Sequence, residues 1–96
     1  MLAEGYLGTE RSPLFVASSD ITVRAMRFIN DDTGTGTYEM SVFLKRNNGD
    51  SRPMFPHNTM VGVEGGIEDS QRWDLNPGDQ IEGYANVSGV IHYWIF

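Results

Sequence analysis

Thr37-Tyr38-Glu39-Met40-Ser41-Val42-Phe43-Leu44-Lys45-Arg46 is the stretch whose reading decides the fold. Tyr38, Met40, Val42 and Leu44 share one parity, and Glu39, Ser41, Phe43 and Lys45 share the other. A period of two places successive side chains on opposite faces of a β-strand. Asn47-Asn48-Gly49-Asp50 follows directly, and Asn-Gly accepts the positive φ of a hairpin turn. A strand and a tight turn back set the pattern for the whole chain.

Working outward, short β-branched or aromatic runs alternate with turn signals spaced about ten residues apart, the rhythm of an antiparallel sandwich or barrel. Upstream, Ser12-Pro13 introduces Leu14-Phe15-Val16-Ala17 as a first strand, and Ser18-Ser19-Asp20 turns it. Ile21 to Asn30 reads as a longer strand whose alternation slips at Ala25. Ile21 and Val23 lie on one parity, Met26 and Phe28 on the other. A β-bulge near Ala25 would return both sets to one face. Asn30 to Gly36 is a loop by composition. Residues 1–11, with two glycines, mixed charge and isolated apolar residues, read as an extended N-terminal arm ahead of a single domain over 12–96.

Downstream, Pro53 and Pro56 bracket Met54-Phe55 and demote it to an edge strand or extended loop. Thr59 to Val63 can pair briefly. Gly65-Gly66 breaks that run, and Ile67 to Leu75 is a polar stretch carrying Trp73. Asn76-Pro77-Gly78-Asp79 has the proline and glycine of a type II turn. Gln80 to Val87 places Ile81, Gly83, Ala85 and Val87 on one face. Ser88-Gly89 then turns the chain into Val90 to Phe96. No segment reads as a helix.

Composition narrows the function. The chain has 96 residues and no cysteine, so a small core must be stabilised without disulfides. Metal is a poor substitute, because neither His57 nor His92 sits at ligand spacing from another strong donor. Oligomerisation is the remaining route. Seven basic against thirteen acidic residues give a net charge of −6, with the basic residues scattered, which argues against direct nucleic-acid binding. No run reaches the ~20 apolar residues that cross a bilayer, and the start lacks a signal-peptide pattern. The expectation is a soluble chain with no membrane contact.

The search for chemistry returns little. There is no Gly-x-Ser-x-Gly elbow, and both histidines read as satisfied or solvent-facing. The acidic residues lie in turns, where they cap and solvate. Asp31-Asp32 lacks the regular oxygen spacing of an EF-hand. The expectation is no catalytic site, no cofactor and no metal.

The final strand resists that bland reading. Ile91, Tyr93 and Ile95 suffice for one core, yet His92, Trp94 and Phe96 occupy the opposite parity. The structural explanation is a second face covered by the N-terminal arm. The functional one is a subunit or partner interface, where aromatic residues are enriched. Phe43, Trp73, His92, Trp94 and Phe96 are the candidate interface residues.

Taken in order, three segments carry a resemblance. They are Leu14-Phe15-Val16-Ala17 with Ile21 to Asn30, then Tyr38 to Leu44, then Leu75-Asn76-Pro77-Gly78-Asp79-Gln80-Ile81-Glu82-Gly83-Tyr84-Ala85 with its closing Gly-Val strand. Over about residues 12–96 the chain resembles small jelly-roll virion proteins of tailed phages, either capsid decoration (cement) proteins or tail-associated modules. It departs from them in the Pro53 to Pro56 segment and the aromatic end. The resemblance implies an antiparallel β-sandwich of jelly-roll type. It also implies a non-enzymatic protein that forms a homotrimer and binds the major capsid protein or another virion protein. Its place would be the capsid exterior, after assembly in the host cytoplasm. The arm, with Glu4, Gly5, Tyr6, Leu7 and Arg11, would order on the shell. The alternative is a tail-fibre or receptor module whose Trp73, Tyr84 or Trp94 stacks on glycan rings.

Overall fold

The computed structural model describes every residue of the chain except Thr33 and Thr35. The described residues form strands and turns with no helix. In chain order the strands are β1 (Ala3–Tyr6), β2 (Ser12–Val16), β3 (Ile21–Val23), β4 (Met26–Asn30), β5 (Tyr38–Lys45), β6 (Ser51–Pro53), β7 (Thr59–Val61), β8 (Gly66–Asp69), β9 (Trp73–Leu75), β10 (Gln80–Ala85) and β11 (Ile91–Ile95). All pairings are antiparallel. One sheet has the order β1-β11-β4-β8. Another has β2-β10-β5-β6, with β7 also pairing to β5, and β3 pairs with β9.

The core lies between the inward faces of the two large sheets and draws on both. Met26 and Phe28 of β4 and Ile91, Tyr93 and Ile95 of β11 meet Met40, Val42 and Leu44 of β5 and Ile81 and Ala85 of β10. These are the residues that the period-two reading assigns inward. The slip at Ala25 is a bulge. Val23 and Met26 are both buried with two residues between them. The Arg24 N–H donates to the Phe96 carbonyl at 2.8 Å, and the Phe96 N–H donates to the Ala25 carbonyl at 2.9 Å. Two residues thus oppose one, and β3 and β4 form one strand bent at that point. Both turns read from glycine hold as well, since Gly49 and Gly78 take φ of 99° and 89°.

The N-terminal segment is corrected. Residues 1–11 are not a loose arm, because β1 pairs with β11 from Ala3↔Ile95 to Tyr6↔His92. Leu7 is fully buried in the core, and its N–H bonds to the Ile91 carbonyl at 2.9 Å. Ala3, Gly5 and Leu7 point inward, and Gly5 is needed there: a Cβ would lie 3.0 Å from the Tyr93 hydroxyl oxygen. The two glycines that suggested a lead-in mark close packing and a crossing between sheets. Ser12–Val16 is accordingly the second strand.

The middle of the chain is also more regular than its composition suggests. The polar stretch from Ile67 to Leu75 supplies β8 and β9, which pair with β4 and β3. Past β6, Phe55 turns inward and meets Phe28 edge to face, with ring centroids 5.6 Å apart.

Candidate functional site

The outer face of the β1-β11-β4-β8 sheet carries the aromatic surplus of the last strand. Register sets two rows across it. The first is Glu4, Trp94, Arg27 and Glu68; the second is Tyr6, His92, Ile29 and Gly66. His92 stacks on Trp94 with centroids 3.9 Å apart, and Tyr6 stacks on His92 at 4.6 Å. The three rings form one continuous pile. Polar groups edge it: Glu4 Oε2 lies 3.2 Å from His92 Nε2, and Arg27 Nε lies 2.9 Å from Glu68 Oε1. The Tyr6 hydroxyl donates to Asp31 at 2.5 Å. That hydrogen bond, with a smaller part from burial, raises the Tyr6 pKa above its usual value. Ile29 lies over Gly66, where a side chain would collide with it. Tyr6 and Phe96 are exposed, while His92 and Trp94 are half-buried by their neighbours.

The candidate interface residues therefore do not form one patch. His92 and Trp94 stand together, with Phe96 following at the end of β11. Phe43 lies on the outer face of the other sheet. Its ring stacks with Tyr84 at 6.3 Å and is covered by the Arg11 guanidinium, 3.9 Å from its centroid. Arg11 Nε also bonds to Glu82 at 2.8 Å, and Nη2 bonds to Ser51. That cluster fastens the crossing segment to the sheet. Trp73 packs against the core, and its indole N–H donates to Asp69 at 2.8 Å. Like Trp94 it is half-buried, but it lies on β9, off the face that carries the ring pile.

The proposed arm residues divide in the same way. Gly5 and Leu7 are taken up by the core, and Arg11 is held by Glu82 and Phe43. Glu4 and Tyr6 join the His92–Trp94 pile. Sequence reasoning missed Tyr6, Glu4, Arg27 and Ile29 as members of this face. The period-two signal was present in Ala3, Gly5 and Leu7 against Glu4 and Tyr6, but the glycine masked it.

Three polar clusters lie elsewhere and brace turns and loops. Ser41 is buried; its Oγ accepts the Asn58 N–H at 3.1 Å and lies 3.3 Å from His57 Nδ1. A hydroxyl so enclosed pins the 54–58 loop to β5. Between residues 46–50 and 76–79 lies an open polar cleft of about 590 Å³. At its base the buried Asp79 carboxylate accepts the Asn76 and Asn47 N–H groups and Arg46 Nη1, each at 2.8 Å. Those bonds, the two backbone ones first, hold Asp79 below the usual aspartate pKa. In the 31–37 loop, Asp32 accepts the Tyr38 hydroxyl and the Gly34 N–H, which lower its pKa. Among the described residues no group of three or more His, Cys, Asp or Glu is placed to hold a metal ion. The part of this loop formed by Thr33 and Thr35 lies outside the described residues.

Comparison with protein families, characterised proteins and solved structures finds no match to this chain. The functional reading rests on its own residues.

Proposed function

We propose that this chain is a non-enzymatic virion protein of a tailed phage, a capsid decoration protein with a jelly-roll β-sandwich fold. The supporting observation is the strand order. Counting β3 with β4, β6 with β7 and β8 with β9 as continuous strands leaves eight. The sheets then read 1-8-3-6 and 2-7-4-5. Each is closed by strands distant in sequence, the two-Greek-key arrangement of jelly rolls, which occurs in viral capsid and lectin domains. Fold alone does not assign function. The outward aromatic pile on β1 and β11 adds a surface suited to protein contact, since tyrosine and tryptophan are over-represented at interfaces. The docking face on the capsid exterior would include Glu4 and Tyr6 as part of a rigid sheet, not as a free arm. Among the described residues no helix is long and apolar enough to cross a membrane.

The test is binding of the purified chain to phage capsids that lack decoration. Saturable binding that raises the temperature of capsid disruption supports the reading, because a ligand of the assembled state stabilises it by mass action. Absence of binding at micromolar concentration sinks it.

A second reading is favoured by one feature. An aromatic pile edged by Glu4 and Asp31 resembles a sugar platform, with rings for the apolar face and carboxylates for hydroxyls. Saturable binding to host cells or to a glycan array, with none to capsids, selects that reading.

A further inference from the structure

We propose that the outer face of the β1-β11-β4-β8 sheet is a self-association surface, on which two copies of this chain meet about a two-fold axis running along β11. The inference concerns the purified chain alone and does not rest on the decoration reading; because Glu4 and Tyr6 belong to both surfaces, self-association and docking through this face would compete. It departs from the trimer that the resemblance implies.

The register chooses the axis. Across the face, Glu4 lies on β1, Trp94 on β11 and Arg27 on β4, all in one row. Tyr6, His92 and Ile29 lie in the same columns one row along. A two-fold axis in the plane of the sheet and parallel to β11 exchanges the columns on either side of it while keeping the rows. Glu4 of one copy then faces Arg27 of the other, twice. Tyr6 faces Ile29, also twice, and the His92–Trp94 pair meets its own image on the axis. Within these two rows every charge beside β11 finds its opposite, and every apolar side chain finds an apolar one. A perpendicular axis between the rows would face Glu4 with Tyr6 and Arg27 with Ile29. Placed through the first row, it would set Glu4 against Glu4 and Arg27 against Arg27. Only the strand-parallel axis makes the face complementary to itself, as an isologous contact demands.

The two remaining acids on the face do not oppose this. Glu68 lies on β8, two columns from the axis, and so falls beyond the second copy's β1, in water and beside its own Arg27. Asp31 is engaged by the Tyr6 hydroxyl. Aligned sheets pack at about 30° to one another, which a tilt of the axis by about 15° from β11 supplies. Three facing strands about 4.8 Å apart make a small patch, which puts the contact at the low end of specific interfaces, below about 1,200 Å² in total. The dimer is therefore expected to form in the micromolar range or weaker.

Charge reversal tests the pairing itself. By sedimentation equilibrium the native chain should show a monomer–dimer equilibrium. Glu4→Arg and Arg27→Glu should each weaken it by at least about tenfold, since each sets like charges face to face. The two single variants mixed in equal amounts should associate more tightly than either alone. In the mixed dimer the arginine introduced at position 4 faces the glutamate introduced at position 27, and the native Arg27 and Glu4 face each other. The double variant should regain association.

Far-UV circular dichroism checks the fold of each variant. Glu4→Arg lies on an exposed edge strand away from Glu68, so it keeps the test available if Arg27→Glu unfolds. A native chain that is monomeric at millimolar concentration overturns the proposal. So does a trimer, or a mixture of single variants that associates no better than its components. A dimer that fails to bind capsids upholds this inference and sinks the decoration reading; a capsid-binding monomer does the reverse.

Discussion

Replacing Asn30 tests what holds one end of the two sheets together. Asn30 ends β4 on the inward parity and is buried. Its Nδ2 lies 3.0 Å from the Gly36 carbonyl, 3.3 Å from that of Val61 and 3.0 Å from that of Gly62; Oδ1 accepts the Asp32 N–H at 3.1 Å. One side chain thus ties the 31–37 loop and the turn after β7 to β4. In Asn30→Ala, water can reach the Gly36 and Gly62 carbonyls, which lie near the surface, and the buried Val61 carbonyl keeps the ladder partner that its pairing with Tyr38 supplies, so the cost is the loss of the hydrogen bonds themselves. Four hydrogen bonds lost at somewhat under 1 kcal/mol each give about 3 kcal/mol. For a domain of this size that lowers Tm by roughly 12–24 °C. Asn30→Asp replaces the donor with a carboxylate facing three carbonyl oxygens, beside Asp31 and Asp32. An unpaired buried charge costs about 3–5 kcal/mol. Burial and repulsion raise the pKa of the introduced carboxyl in the folded state above its unfolded value of about 3.9. The sign follows: the variant's deficit relative to the native chain is smallest below the unfolded pKa. It grows as pH rises towards the folded pKa, then stays constant. Urea denaturation of the native chain and both variants between pH 4 and pH 7.5 measures this. An Asn30→Asp deficit that does not change with pH, or that is smaller than the Asn30→Ala deficit at pH 7, refutes the account of Asn30 as a donor to buried carbonyls.

Three further outcomes are expected. Arg11→Ala removes the cover from Phe43 and leaves the nearly buried Glu82 unpaired; the loss is about 2 kcal/mol after allowing for the exposure of Arg11, and a double variant with Glu82→Gln should recover part of it in a thermodynamic cycle. Because the Asp79 pKa is lowered in the folded state, its contribution is present above the unfolded aspartate pKa and is lost as pH falls through the folded value; Asp79→Asn should be less stable than the native chain at pH 7 and should show a shallower acid-unfolding curve. The Leu7 amide, bonded to Ile91 within the fold, should exchange slowly in a hydrogen-exchange experiment; exchange at the rate of an unstructured peptide would restore the free arm.

The strands, their facing and the Ala25 bulge were legible because parity is a local property. Burying one face of a strand forces an apolar residue at every second position, and a bulge leaves a visible slip in that pattern. Residues 1–11 were not legible for the opposite reason. Gly5 is selected by the Tyr93 ring, which approaches from a strand at the far end of the chain. Nothing near Gly5 in sequence distinguishes a glycine that makes room from one that marks a loop. β8 and β9 were obscured similarly: Glu68 and Asp69 are polar because β8 is a sheet edge, where one face and one side meet water.

The scattering of the five aromatic candidates follows from the same limit. Parity marks Phe43, Trp94 and Phe96 as pointing away from the core, but each sheet has its own outer face, and pairing alone decides which face a strand joins. Phe43 on β5 is therefore separated from Trp94 on β11 by the whole thickness of the molecule, and Arg11, arriving from the β1–β2 crossing, closes over it. Tyr6 takes the vacant place beside His92 because β1 pairs with β11 at a register that puts Glu4 opposite Trp94. The surface that results is rigid on both sides: β1 is locked from within by Leu7 and from without by the ring pile. A flexible arm would lose ordering entropy at the moment of binding, whereas a face built from paired strands has already met that cost in folding. For a small acidic domain without a disulfide, pre-ordering of this kind lowers the cost of any association through so small a patch.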